Sequence, residues 1–126
     1  MIEVEFVIKV HEILINEFGG THGIRDLNGL KAALARPYAS FEQKELYTSI
    51  FSKAAALIES LISNHPFIDG NKRVGYFFLR YYLLIQHYDL KASQKEKYDF
   101  VMDIAIGKLA FDAIEVWIEE KSKKIN

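Results

Sequence analysis

The chain contains no cysteine. Disulfides, thiolate metal sites and a cysteine nucleophile are therefore excluded, and a reducing cytosol suits such a composition. Proline occurs only twice, so no proline-rich linker divides the 126 residues. That length suits a single domain over 1–126. Long apolar runs are also missing. The most apolar stretch, VGYFFLRYYLLI, ends at Ile85 and contains Arg80, whereas a bilayer span needs about 20 apolar residues. The N-terminal MIEVEFVIKVHEIL carries acids among its apolar positions and lacks a basic start, so it does not read as a signal peptide. Charge of one sign is lacking too. A formal net charge of -1 leaves no global basic field to hold nucleic acid. No repeat or low-complexity segment is present.

What is there is helical periodicity. Val7, Val10, Leu14 and Phe18 predict one face of a first helix, stopped by Gly19-Gly20. Asp26 is placed to cap a second, with Leu27, Leu30 and Leu34 on one side and Pro37 at its end. Residues 37–47, PYASFEQKELY, lack a helical period and read as an extended or hairpin-like connection. A third helix carries Phe51, Ala54, Ala55, Ile58, Leu61 and Ile62 and closes at His65-Pro66. A fourth begins near Gly70 or Asn71. Its expected face is Val74, Phe77, Tyr81, Leu84 and Tyr88, widened by Phe78 and Ile85. Ser93 and Glu96 form a capping-box pattern for a fifth helix, with Phe100, Val101 and Ile104, ending at Gly107. Asp112 is expected to start a sixth, containing Trp117, and the tail KSKKIN reads as solvated. The fold class is all-α: about six helices around one core, with a short flap between helices two and three.

One stretch, HPFIDGNKR at 65–73, concentrates chemistry where a loop meets the first turn of helix four. Free N–H groups and the positive dipole end make such a turn an anion site. Gly70 lets the backbone approach a ligand, and Lys72 and Arg73 add donors for phosphate oxygens. Asp69 offers the hard oxygen that Mg²⁺ prefers. His65 is the side chain whose ordinary titration falls near neutrality, fit to take a proton from a hydroxyl. Phe67 or Ile68 can plug into the core and fix the loop. Base, metal ligand and phosphate cradle are what phosphoryl or nucleotidyl transfer needs.

HPFIDGNKR resembles the core pattern of the Fic/Doc superfamily, His-x-Phe-x-(Asp/Glu)-(Gly/Ala)-Asn, and Lys after Asn resembles its death-on-curing (Doc) branch. FGGTHGIRD at 18–26, LKAALARP at 30–37 and KAAALIESLISNHPF at 53–67 are similar to that branch as well, so the likeness covers about residues 11 to 85. It implies His65 as general base, Phe67 as loop anchor and Asp69 as Mg²⁺ ligand. It implies Gly70, Asn71 and Lys72 as anion cradle and Arg73 as a phosphate ligand for ATP. The 37–47 connection would be a flap that aligns a target peptide by strand addition. AMP-transferring Fic enzymes carry Gly after Asn and a second Arg three residues past the first. Here those positions are Lys72 and Tyr76, which by resemblance implies a reversed nucleotide and γ-phosphoryl transfer. Val74-Gly75 stands where Doc relatives often carry Thr-Ala; Arg80 is a candidate substitute for the second Arg. No stretch matches the inhibitory helix of self-regulating Fic proteins.

The resemblance thus implies a cytoplasmic toxin of a toxin–antitoxin pair, held by an antitoxin on a separate chain. Such a toxin phosphorylates a Ser or Thr of a translation factor, elongation factor Tu in this branch. Two other readings compete: a Fic-type AMP transferase, and a silent Fic-fold binding module. Taken singly, the residues also have plain readings: Asp69 as an N-cap, Lys72 and Arg73 as a solvated first turn, His65 as a helix stop. His11 fits a satisfied core or boundary position, Arg25 and Asp26 a salt bridge and a cap, and the His-Asp doublet of metal phosphohydrolases is absent. No membrane or direct nucleic-acid partner is expected.

Overall fold

A computed structural model describes residues 1–125; Asn126, the last residue of the tail, lies outside the described residues. Helix α1 spans Val4–Phe18 and ends at Gly19, whose φ of 88° closes it. It buries Val7, Val10, His11 and Ile15. The expected face through Leu14 and Phe18 is corrected: Phe18 is 69% exposed. The buried stripe advances from Val7 in steps of four, which carry it to His11 and Ile15.

Helix α2, Leu27–Ala35, is capped as expected, with Asp26 Oδ1 accepting the Gly29 N–H at 2.8 Å. Leu30, Ala33 and Leu34 are buried while Leu27 is largely exposed. A 3₁₀ turn follows at Arg36–Tyr38. Arg36 keeps helical φ/ψ although proline follows it. Its guanidinium is held by Glu59 Oε1 (2.7 Å), Ser60 Oγ (2.9 Å) and the Tyr47 hydroxyl (2.9 Å). The connection is a hairpin, as its composition predicted: β1 (Ser40–Phe41) pairs antiparallel with β2 (Lys44–Glu45). Glu42 and Gln43 at the tip both have positive φ, as a two-residue turn of this twist requires.

Helix α3, Ile50–Ser63, forms the centre. Ser49 and Ser52 cap it reciprocally, and Ala54 through Ile58, with Leu61 and Ile62, are buried around nearly its whole circumference. Helix α4 (Asn71–Ile85) packs closely on α3, with Gly75 against Ile58 and Ile62. Of the expected α4 face, Val74 and Phe78 are buried, but most of the rest is turned away from the core. Phe77, Leu84 and Ile85 are exposed, and the buried set is Val74, Gly75, Phe78, Leu79, Tyr82 and Leu83. With a helix apolar on most sides, periodicity does not choose the face; packing against α3 does.

Tyr88 is not helical. It opens β3 (Tyr88–Leu90), which pairs antiparallel with β4 (Ser122–Lys124). The tail is therefore not simply solvated, and Ser122 is buried. Backbone pairing, invisible in a lysine-rich sequence, holds it. Helix α5, Gln94–Ala105, carries the predicted Ser93–Glu96 capping box. Helix α6, Phe111–Lys121, starts after Ala110, so Asp112 sits inside its first turn and is not the cap. Trp117 stacks on Phe100 of α5 with centroids 3.7 Å apart. Buried side chains from each of the six helices join in one apolar cluster, so the all-α reading stands.

Candidate active site

Two loops meet at the start of α4. The 19–26 loop lies against the 64–70 loop through backbone bonds: Arg25 and Asp26 N–H donate to Pro66 O (2.8 and 3.0 Å), and Ile68 N–H donates to Gly23 O (3.0 Å). Stretches 18–26 and 65–73, read separately in the sequence, build one structure. Arg25 makes no salt bridge with Asp26. Its Nε donates to His65 O at 2.6 Å and its Nη2 to Asn64 O at 2.7 Å, caught by the carbonyl-rich C-terminal end of α3. His65 itself is exposed and has φ 46°, a left-handed conformation uncommon for a side-chain-bearing residue.

Phe67 is 1% exposed and carries the loop into the core. Asn71 grips the same residue from α4, its amide bonded to both Phe67 N–H and Phe67 O at 2.9 Å. The Asn71 side chain is thus turned to the loop, leaving its backbone N–H in the first helical turn for a ligand. His11, buried as a satisfied core residue, stacks on Phe67 and bonds Asp69 O.

Asp69 directs its carboxylate outward. Oδ2 accepts the Thr21 N–H at 3.0 Å and Oδ1 the Gly70 N–H at 2.8 Å. These two N–H groups, Thr21 first, hold its carboxyl below the usual carboxylate range, with help from the charges of Arg73 and Lys72. Asp69 is therefore ionised near neutrality. It lies at one wall of a cleft of about 420 Å³, with Gly70 to Arg73 and Tyr76. The facing wall comes from α5: Gln94, Lys97 and Tyr98. His65 does not line this cleft.

Lys72 is exposed and makes no hydrogen bond or ion pair among the described residues. Arg73 Nη1 donates to Gly19 O at 2.9 Å at the end of α1, and its guanidinium lies 5.7 Å from the centre of the Phe18 ring. Arg80 is turned elsewhere. It makes a two-pronged pair with Asp89, 3.0 Å on each prong, and does not reach the cleft as a second phosphate arginine. Asp69 is the sole carboxylate lining the cleft, and no group of three metal-ligating His, Cys, Asp or Glu gathers among the described residues. One hard, ionised carboxylate beside phosphate donors suits Mg²⁺, which takes much of its shell from water and substrate phosphates. The sequence reading missed the α5 wall and Thr21. The first looks like an ordinary solvated helix face, and the second acts only through its backbone.

A family model described as the Fic/DOC family matches residues 1–83. A curated relative, Toxin Doc of Mycolicibacterium smegmatis, is 46% identical over 59 residues. The aligned stretch covers 47% of this chain and 45% of that protein, so the match spans less than half of either.

Proposed function

Because the chain belongs to the Fic/Doc family, we propose that it is a Doc-type toxin that transfers the γ-phosphoryl group of ATP to a Ser or Thr hydroxyl of a translation factor, elongation factor Tu being the expected target. The observation that carries the reading is the held, ionised Asp69 beside a cleft whose floor is the N-terminal turn of α4. The triphosphate lies on the N–H groups of Asn71 and Lys72, with Gly70 leaving the backbone open to it and Arg73 and the Lys72 ammonium on its oxygens. Asp69 holds Mg²⁺. When bound, the ion neutralises charge on the phosphate oxygens. His65 takes the proton of the target hydroxyl as its oxygen forms the new bond to the γ-phosphorus. The bond to the bridging oxygen breaks, and ADP leaves. The β1–β2 hairpin presents exposed strand edges on which a target segment can add. Lys72 and Tyr76 both line the cleft, where an AMP transferase would have a bare glycine and a second arginine. Control falls to an antitoxin on a separate chain, and the setting is the cytoplasm. No helix among the described residues is long and apolar enough to cross a membrane.

The test uses bacterial cytosolic extract, Mg²⁺, and ATP labelled at either the α- or the γ-phosphate, with His65→Ala in parallel. Protein labelled from the γ-position alone, and lost in the variant, is expected. Label from the α-position would establish AMP transfer in its place. No label from either position, with purified elongation factor Tu added, would favour the silent binding module.

A further inference from the structure

The proposed chemistry does not use His11, yet this side chain is only 4% exposed and touches two residues of the motif loop. Its ring lies flat on Phe67, with centroids 3.8 Å apart and planes 6° apart. Its Nε2 is 2.8 Å from the main-chain oxygen of Asp69. A carbonyl oxygen only accepts, so Nε2 carries the hydrogen.

The consequence lies one bond further along. A trans peptide is planar, and its C=O and N–H point in opposite directions. Holding the Asp69 oxygen on His11 turns the N–H of Gly70 the other way, where it donates to Asp69 Oδ1 at 2.8 Å. Gly70 sits at φ 82°. Glycine adopts positive and negative φ about equally well, so the Asp69–Gly70 peptide has a second orientation within reach. In that orientation a carbonyl oxygen would replace the N–H beside the Asp69 carboxylate. An acceptor there repels both the carboxylate and a phosphate, and the carboxylate loses one of its two N–H partners.

We infer that His11 is a positioning residue that latches the Asp69–Gly70 peptide in the orientation that gives the Gly70 N–H to the carboxylate and keeps the Asp69 carbonyl oxygen away from the anion site. The anion is taken to be the nucleotide phosphate, and that part rests on the proposed function. Stacking on Phe67 fixes where the ring lies; the Nε2 hydrogen selects the orientation of the peptide. The two contributions separate by substitution. His11→Phe keeps a ring against Phe67 and removes the donor. His11→Gln removes the ring and keeps an N–H donor at nearly the same reach.

The experiment is amide NMR of Gly70 in the wild-type chain and both variants, followed by calorimetric titration with the magnesium complex of ADP. Wild type and His11→Gln are expected to give one sharp Gly70 resonance. His11→Phe is expected to shift or broaden it and to bind the nucleotide about tenfold more weakly, as for the loss of a hydrogen bond to a charged group. A Gly70 resonance in His11→Phe that matches wild type would overturn the latch, whatever the nucleotide does. A wild-type chain that binds no nucleotide would sink the functional reading, while the Gly70 resonance would still decide the latch. Should His11→Phe not fold, ring ¹⁵N shifts of the wild-type chain serve: hydrogen on Nε2 supports the assignment, and a bare Nε2 overturns it.

Discussion

The side-chain amide of Asn71 closes a ring on the backbone of Phe67, accepting its N–H at Oδ1 and donating to its carbonyl from Nδ2, each at 2.9 Å. A residue read from sequence as part of an anion cradle thus spends its side chain on the loop before it. Removing the amide leaves two polar groups at a residue that is 1% exposed. Asn71→Ala is expected to destabilise the fold by about 2 kcal/mol, the cost of stranding such groups. Asn71→Asp keeps the acceptor for the Phe67 N–H and should cost less. Urea denaturation of both variants checks this; an alanine variant as stable as wild type would show that water replaces the amide.

Glu96 gives a pH dependence with a definite sign. Lys121 Nζ donates to its Oε2 at 2.7 Å, and the Ser93 N–H donates to Oε1 at 2.8 Å. The Lys121 bond first, then Ser93, pull its carboxyl down to about 2. A folded value below the ordinary one means the stabilisation is fully present above 4.5 and is lost as pH falls through about 2. Glu96→Gln keeps an acceptor for Ser93 and removes the charge. The melting temperature of wild type should exceed that of the variant at neutral pH, and the gap should shrink below 4.5. A gap of unchanged size in acid would mean the charge contributes nothing.

Local signals in the sequence served well wherever a side chain meets its own neighbourhood. The Asp26 cap, the Ser93–Glu96 box, the glycine stop at Gly19 and the hairpin in 37–47 all lie within a few residues of the signal that predicts them. The misses are tertiary. The α4 face was chosen by α3, the tail was recruited by β3, and Arg25 was drawn to the end of α3, 40 residues away, in preference to its neighbour Asp26. The motif marked the loop that carries Asp69, but the support of that loop from His11 and Thr21 comes through main-chain atoms of Asp69 or of Thr21 itself, which no side-chain pattern encodes.

The flap offers a kinetic prediction. Its strands are two residues each, too short to be stable alone. Arg36 ties the segment down through Tyr47, Glu59 and Ser60, with its guanidinium 5.4 and 5.5 Å from the centres of the Tyr47 and Phe111 rings. Under the proposed function, Arg36→Ala should raise the KM for the protein target and leave the affinity for magnesium ADP unchanged. Steady-state kinetics and calorimetry separate the two. An equal loss in both would mean that Arg36 supports the whole fold and not the flap.

Gly75 tests why a glycine stands inside α4, beside the motif and against α3. An added Cβ would lie 2.8 Å from Ile62 Cγ1 and 3.3 Å from Ile62 Cδ1. Ile62 is 1% exposed at the α3–α4 contact, so its branched chain has little room to yield. Two terms compete in Gly75→Ala. Helix propensity favours alanine by about 0.5–1 kcal/mol. Overpacking a filled core costs about 1–3 kcal/mol. The clash is with the near end of a branched side chain, so overpacking wins and the single variant should be less stable by about 1 kcal/mol. In an Ile62→Ala background the obstruction is gone. There Gly75→Ala should stabilise, reversing sign, and a double-mutant cycle should show coupling of about 1–2 kcal/mol. Additive effects would mean that α3 and α4 slide apart at no cost, and the glycine would then have no packing reason to be there.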